Sequence, residues 1–348
     1  MSKARGNVIR HLLLASLGLL LGACASLQPV ELPPEYTAPG SQAALWEQLD
    51  SLRVDDWQVP LDAGGEALDW RLRAIDSATQ SIDMQTFLWS LDGVGAMILH
   101  HLIVAADRGV LVKLLIDDTF LAGEEEMLLQ LAEHPNIEYR VFNPYKRRSD
   151  SLVTRQLLNL AEFHRLDHRM HNKSMIVDNQ VAIVGGRNLA DEYFGLHSEA
   201  NFRDLELLIG GPIVRDVSSE FDRYWNDGWS FPVSLVDSDR PSLESVADLL
   251  TAEPGKSGPH RELTASELQA FWLTAIAQSH PGDPTLFADN PLSDDPEAPE
   301  GQPIQLAEEL MKVLDDAQEE IVIISAYLIP TDRLEAAIAR AVRRGVSV

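Results

Sequence analysis

The chain has 348 residues, of which 45% are hydrophobic, and it carries 54 Asp and Glu against 28 Lys and Arg, a net charge of −26. This length and apolar content exclude a wholly disordered chain and allow two domains. A single cysteine excludes an intramolecular disulfide and a cysteine-built zinc site, so any chemistry must rely on His, Lys and carboxylate side chains. The negative charge disfavours nucleic acid as a partner, because it repels a polyanion.

Residues 1–24 have the features of an export signal. Three basic residues precede an apolar stretch at 12–21, which is shorter than the roughly 20 residues of a membrane-spanning helix. The stretch ends in Leu-Gly-Ala-Cys, which resembles the lipobox of bacterial lipoproteins; the alternative is a short hydrophobic tail with an incidental cysteine. The lipobox interpretation makes Cys24 a lipid anchor, predicts a proline-rich tether at 25–65, and places the protein on a membrane of the bacterial cell envelope, facing the periplasm.

From residue 66 onward, helical and strand patterns alternate. A helix precedes a strand at 81–89, a second helix contains Ile98 and Leu102, Gly109 has the position of a C-cap, and 110–116 has the composition of a buried strand. This order predicts an α/β fold in which helices flank a mostly parallel sheet.

A similar order returns at 306–348. Residues 317–323 align with 78–84 at an offset of 239, and 344–346 align with 108–110 at an offset of 236. The pattern predicts an internal duplication, the alternative being the general likeness of α/β segments. We therefore predict a first domain at 66–232, an acidic, proline-rich linker or insertion at 233–303, and the start of a second, truncated domain at 304–348.

Two predicted strands, within 170–178 and 181–188, carry residues that suit phosphoryl transfer. His171 and Lys173 are two positions apart and so project from one face of a strand. A histidine can attack phosphorus and form a covalent intermediate, while an ammonium group stabilises the phosphoryl oxygens, and neither step needs a metal or cofactor. The alternative is a structural histidine beside a surface lysine.

Further residues of the same stretch are candidates for supporting roles. Gly185 and Gly186 allow close backbone approach and Asn188 can donate its amide, so all three are predicted to bind phosphate. Asp178 is seven residues beyond His171, on the opposite face unless the turn redirects it, and could instead orient a histidine from another copy of the motif.

These positions together resemble the HKD signature of the phospholipase D superfamily. Its fixed positions are all filled here, by His171, Lys173, Asp178, Gly185, Gly186 and Asn188. Other segments between 68 and 348 resemble the cardiolipin synthase C subgroup, namely Gln85, Trp89, Asp117-Asp118, Phe142-Asn143-Pro144 and Asp204-Leu205-Glu206.

The resemblance implies a site built from two such motifs, in which one histidine attacks and the other protonates the leaving oxygen. It makes His171 the nucleophile, Lys173 and Asn188 phosphate ligands, and Asp178 the supporting catalytic carboxylate. The repeat offset places the partner motif at about 407–410. We therefore expect residues 1–348 to be a fragment that is inactive alone; a homodimer is the alternative source of the second motif.

The implied activity is transfer of a phosphatidyl group, from a donor such as phosphatidylglycerol, through a phosphohistidine to an alcohol, giving a cardiolipin-type product. Hydrolysis of phospholipids is the alternative, because both reactions begin with the same intermediate; a non-catalytic envelope lipoprotein is another. Seven basic against three acidic residues between Lys146 and Lys173 are expected to draw phospholipid head groups to the site.

Overall fold

The computed structural model describes residues 27–121, 131–149, 151–236, 263–291, 305–325, 328 and 330–348. The predicted signal sequence and Cys24 lie outside these ranges, so the lipobox stays a prediction. The chain divides into two compact units between Asp283 and Pro284. Within the described ranges, no helix is long and apolar enough to cross a membrane.

A nine-stranded sheet forms the centre of the first unit. Its strands are β1 (Trp57–Leu61), β2 (Ser81–Thr86), β3 (Leu111–Asp117), β4 (Ile137–Phe142), β5 (Ser174–Val177), β6 (Val181–Gly185), β7 (Glu206–Gly210), β8 (Ser230–Pro232) and β9 (His280–Pro281). Their order across the sheet is β8-β4-β3-β2-β5-β6-β7-β1-β9.

Helices of varied length connect and flank these strands. They are α1 (Ala44–Leu52), α2 (Gly64–Ser77), α3 (Gly93–Asp107), α4 (Leu152–Leu158), α5 (Phe163–Leu166), α6 (Asp191–Phe194), α7 (Val214–Trp225), α8 (Val233–Val236) and α9 (Ala265–Gln278). Apolar side chains of α2 and α3 share one core with β2 and β3, and α7 packs on β2, β5 and β6. The α/β class with flanking helices is therefore confirmed.

The predicted helix and strand order holds through β3. Gly109 follows α3 with a φ of 95°, the left-handed conformation that ends many helices and that glycine adopts without strain. β2 is shorter than predicted: it ends at Thr86, and Trp89 makes only an isolated bridge to Leu189.

The prediction of a mostly parallel sheet is wrong. Only the β2–β3 and β3–β4 pairs are parallel, whereas β2–β5 and the remaining neighbours are antiparallel. Helix α3 connects the parallel strands β2 and β3, whereas a short turn joins β5 to β6, which allows only an antiparallel pair. In that turn Asp178 and Asn179 have φ values of 54° and 49°, which aspartate and asparagine tolerate better than most residues.

The predicted linker at 233–303 also needs correction, because α9 belongs to the core of the first unit. Trp272 is completely buried, its ring lies 5.3 Å from that of Trp46 and 5.5 Å from that of Trp70, and its Nε1 donates to Ser77 Oγ at 2.8 Å. A capping box between Thr264 and the third helical residue begins α9.

The predicted tether at 25–65 is a second correction. Residues 27–43 form an N-terminal strap on the surface of the first unit, followed by α1 and by β1 in the sheet. Thr37 donates to Asp222 through both its N–H and its hydroxyl at 2.8 Å, and Glu35 accepts from Arg140 at 2.9 Å. The prolines therefore stiffen an ordered segment instead of a free linker.

The second unit contains helices α10 (Gln305–Asp316) and α11 (Asp332–Arg343) and a parallel bridge between Glu320 and Ser347. Its internal contacts repeat those of the first unit. Arg344 donates to the carbonyls of Leu314 and Ala317, at 2.9 and 3.2 Å, while Arg108 donates to Ile75 and Ala78, at 3.2 and 3.4 Å. These paired contacts support the proposed duplication at the predicted offsets.

Replacing Trp272 tests whether α9 is part of the core. We expect Trp272→Ala to lower the free energy of unfolding of the first unit by about 3–5 kcal/mol, because a large buried side chain is removed. Urea unfolding followed by circular dichroism measures this change. Gln278→Ala, at an exposed position of the same helix, is the control and should unfold as the unmodified chain does; equal midpoints for both variants would mean that α9 is only a linker.

Candidate active site

His171 and Lys173 meet just before β5 begins. Lys173 Nζ lies 3.4 Å from His171 Nδ1 and donates to the His171 carbonyl at 2.8 Å. His171 is exposed to solvent, whereas Lys173 is only 9% exposed. The pair therefore presents an accessible imidazole beside an ammonium group whose position is fixed by its own backbone.

Phe87, one residue past β2, supports this pair from the neighbouring strand. Its ring centroid lies 4.6 Å from that of His171 and 5.5 Å from Lys173 Nζ. Phe120 packs edge-on against the other side of Phe87, at 5.3 Å. The aromatic ring orients the imidazole by packing and attracts the ammonium group through its π face.

Burial and charge both act on the two functional groups. Partial burial and then the charge of Lys173 lower the pKa of His171, which favours the neutral imidazole that a nucleophile requires. Burial lowers the pKa of Lys173 to about 8, although Asp204, Asp117 and Glu206 act in the opposite direction. Lys173 is thus mostly charged at pH 7.

The three carboxylates act on Lys173 from a distance. Among the described residues, none lies within 4 Å of its ammonium nitrogen as a salt-bridge partner. Glu206 is 1% exposed and is held by Arg71, at 2.6 Å, and by Arg187, at 3.3 Å. Asp117 is fully buried and accepts from the Met170 N–H at 3.0 Å, which fixes the chain just before His171.

Gly185 and Gly186 have a structural role besides the phosphate binding predicted for them. Their N–H groups already donate to the carbonyls of Lys173 and Leu205, each at 3.4 Å. A Cβ on Gly186 would lie 2.4 Å from Asp204 Oδ1, and one on Gly185 would lie 2.5 Å from the Glu206 side chain. The glycines thus admit the Asp204 and Glu206 carboxylates, and phosphate binding by Gly185 and Gly186 stays a prediction.

Asn188 is buried and partly committed. Its Oδ1 accepts from the Leu88 N–H at 3.2 Å and its Nδ2 donates to the Tyr193 hydroxyl at 2.8 Å. Since an amide nitrogen carries two hydrogens, one donor remains for another acceptor. Asn188 is thus bonded to the residue next to Phe87, whose ring packs on His171. Its role in binding phosphate stays a prediction that this geometry permits.

Asp178 does not join the site, contrary to the predicted catalytic role. It lies at the far end of β5, is fully buried, and its carboxylate accepts five hydrogen bonds. The donors are Trp46 Nε1 (2.6 Å), the Thr79 hydroxyl (2.6 Å) and the N–H groups of Thr79 (2.8 Å), Gln80 (2.7 Å) and Ser81 (2.9 Å). A carboxylate bonded in this way joins segments of the first unit, and it makes no hydrogen bond to the His171 ring.

The sequence assigns no role to four residues that surround the pair, namely Phe87, Asp117, Asp204 and Glu206. The last three belong to segments that resemble the cardiolipin synthase C subgroup. Pattern could have identified Asp117, because it ends a buried strand next to a second aspartate, but nothing in the sequence shows that Phe87 touches His171. No cluster of His, Cys, Asp or Glu in the described ranges has the arrangement of a metal site.

Residues 72–225 match the family model described as "Cardiolipin synthase, PLD-like domain". Together with the relatives below, this match supports placing the chain in the phospholipase D superfamily. The matched range contains β2 through β7, His171, Lys173 and Asn188.

Among the similar proteins is cardiolipin synthase C of Escherichia coli, which is 36% identical over 294 residues, 83% of this chain and 61% of that protein. An uncharacterized protein of Helicobacter pylori is 32% identical over 95% of this chain and 65% of its own length. The chain thus spans less than two thirds of these relatives. A crystal structure of phosphatidylserine synthase from Haemophilus influenzae has the same fold, with a TM-score of 0.54 and 15% identity over 87% of this chain and 64% of that one.

Asp178→Asn tests the structural role of this carboxylate. The asparagine keeps the left-handed turn but offers one acceptor oxygen in place of two, so at least one donor loses its partner, at about 1–3 kcal/mol each. We expect urea unfolding to show this loss of stability, with no change for the exposed control Asp55→Asn. A variant as stable as the control would contradict the structural role.

Lys173→Met tests the electrostatic coupling of the pair. Removing the charge removes one cause of the lowered His171 pKa, so we expect that pKa to rise towards the ordinary value of about 6.5. NMR titration of the imidazole resonance, assigned with His171→Ala, measures the shift. Lys312→Met, in the second unit, should leave it unchanged; a fall in the His171 pKa in Lys173→Met would contradict the assignment.

Proposed function

We propose that the protein is an enzyme that transfers the phosphatidyl group of a phospholipid to an alcohol through a covalent intermediate on His171. The observation that carries this proposal is the exposed imidazole, kept neutral beside a buried ammonium group 3.4 Å away. A neutral imidazole is a nucleophile, and an adjacent fixed cation stabilises the charge on phosphoryl oxygens. The similarity to cardiolipin synthase C supports a phospholipid as substrate.

Two displacements at phosphorus make up the proposed reaction. His171 forms a P–N bond as the P–O bond to the head-group alcohol breaks, and that alcohol oxygen takes a proton from a general acid. A hydroxyl group of a second phospholipid then attacks the same phosphorus and gives its proton to the conjugate base of that acid, the P–N bond breaks, and both His171 and the acid are restored. With phosphatidylglycerol as both donor and acceptor, the products are a cardiolipin-type lipid and glycerol.

The position of the proton on the His171 ring determines which further groups the reaction needs. Nδ1 faces the Lys173 ammonium group, which can only donate, so Nδ1 is the accepting nitrogen of the ring in this geometry. For Nε2 to attack phosphorus, Nε2 must be free of its proton, so Nδ1 must carry that proton and turn from Lys173 to an acceptor. Among the described residues, no carboxylate hydrogen-bonds to the His171 ring. We propose that a second copy of the motif supplies an acceptor for this proton and the acid for the leaving oxygen. On the same proposal, acylation of Cys24 would hold the protein on an envelope membrane.

Product analysis tests the proposed function. Cells that express the chain together with the proposed second copy of the motif are given labelled phosphatidylglycerol, and we expect a labelled cardiolipin-type lipid that disappears in His171→Ala and persists in His197→Ala, a control at an exposed histidine. Labelled phosphatidic acid alone would establish hydrolysis instead of transfer. The same products with His171→Ala would contradict the proposal.

The pH dependence of the activity is a separate prediction. The acid limb reports protonation of His171 and should lie below the ordinary histidine pKa of about 6.5, because its pKa is lowered. The alkaline limb reports loss of the Lys173 charge and should lie near its pKa of about 8. Lys173→Arg, if active, should move the alkaline limb upward and leave the acid limb in place; an unmoved alkaline limb would contradict the role of Lys173.

A further inference from the structure

Helix α4 is inverted relative to an ordinary surface helix. It buries Arg155, which is 0% exposed, and leaves Val153 and Leu157 65% and 61% exposed. Surface helices usually turn their apolar stripe inward and their charged residues to solvent. The exposed side of α4 therefore has the composition of a buried one.

On the inner side of α4, the buried polar side chains have hydrogen-bond partners. Arg155 Nη1 lies 3.2 Å from Asp118 Oδ1 and its Nη2 donates to the Ser149 carbonyl at 3.0 Å. Asn159, which follows the helix, donates to the carbonyls of Arg147 and Arg155 at 2.9 and 2.7 Å. This network fixes the rotation of the helix, because turning it over would strand a buried guanidinium and a buried carboxylate.

The exposed apolar surface continues past the helix into α5. Leu160 and Phe163 are 60% and 64% exposed. We call the following residues the α4–α5 face: Val153, Leu157, Leu158, Leu160 and Phe163. An exposed apolar group of this kind marks an interaction site more often than an ordinary surface does.

A cleft of about 350 Å³ opens beside this face and is lined by Val153, Leu157, Leu160 and Phe163 together with Tyr145 and Arg169. Its volume falls in the range of about 300–1,000 Å³ typical of small-molecule sites. Arg169 is two residues from His171, and its Nη2 is buried without a hydrogen-bond partner among the described residues. The cleft thus combines apolar walls with the guanidinium group of Arg169.

The charges around the face select the kind of partner. Arg148 and Arg155 are bound to Asp118, while Lys146 and Arg147 are exposed beside α4, on a chain whose net charge is −26. Apolar side chains flanked by basic groups match the acyl layer and the anionic head groups of a bilayer.

We propose that the α4–α5 face docks on an anionic phospholipid bilayer, with its apolar side chains in the acyl layer and with Lys146 and Arg147 at the head groups. The cleft then gives one acyl chain a place against Arg169, two residues along the chain from His171. The role given to the cleft rests on the proposed function, whereas the docking of the α4–α5 face does not.

A fluorescent label tests the docking without any turnover. Cys24 is the only cysteine, so Cys24→Ser gives a full chain in which a single label site can be introduced. An environment-sensitive dye is attached to Leu157→Cys, to Phe163→Cys and, as a control, to Val54→Cys, which is 75% exposed. Vesicles of phosphatidylglycerol, with nitroxide quenchers on their acyl chains, are then added.

We expect a blue shift and quenching at positions 157 and 163 and neither change at position 54. Vesicles of phosphatidylcholine or raised ionic strength should weaken the response, and Lys146→Gln with Arg147→Gln should lower the affinity about five-fold per charge removed. His171→Ala should leave the dye response intact, so a failure of the docking proposal can be distinguished from a failure of the proposed function.

Two results would overturn the proposal. One is a dye at positions 157 and 163 that stays in water when vesicles are present. The other is a dye that is already in an apolar environment before vesicles are added, which would mean that protein covers the face. If a second copy of the chain covers it, dilution exposes the dye to water; if another part of the same chain covers it, dilution has no effect.

Discussion

A buried carboxylate must be met by hydrogen-bond donors, and the arrangement of the first unit depends on how Asp178 meets this requirement. Its donors come from α1 and from the connection before β2, which are 132 and 97–99 residues away along the chain. Its own backbone forms the turn between β5 and β6. The carboxylate therefore fixes three distant segments at one end of the β2–β5 pair.

The candidate active site lies at the other end of the same pair. With Ile82 opposite Val177, the antiparallel register places Gln85 opposite Ser174. Phe87 lies two residues beyond Gln85, and Lys173 and His171 lie one and three residues before Ser174. The Phe87 ring packs on the His171 ring and near the Lys173 ammonium group. Asp178 therefore supports the pair from the opposite end of β5 without touching it.

The site also keeps its cation available for a substrate. Glu206 and Asp117 are committed to arginines and N–H donors, so they oppose the deprotonation of Lys173 without pairing with it. A direct ion pair would have neutralised the charge that a phosphoryl group needs. Gly185 and Gly186 make this arrangement possible, because any side chain there would displace the carboxylates.

The sequence was sufficient for the elements and the central pair. Local periodicity predicts α2, β2, α3 and β3, and a two-residue spacing predicts that His171 and Lys173 meet. It was insufficient where partners are distant: spacing alone cannot show that Trp46 and Thr79 bind Asp178, or that Phe87 supports His171. Composition misled at α9, where acidic and proline-rich flanks concealed a capping box and the buried Trp272, and at α4, whose pattern does not reveal which side faces the protein.

The central claim is that His171 forms a covalent bond to phosphorus. Cells that express the chain together with the proposed second copy of the motif are given phosphatidylglycerol with labelled phosphorus and are quenched at alkaline pH, and the protein is digested for mass spectrometry. The account predicts an acid-labile phosphatidyl adduct on the peptide that contains His171, absent from His171→Ala and retained in His197→Ala. Labelled lipid product formed with no adduct on that peptide, or with the adduct on another residue, would contradict it.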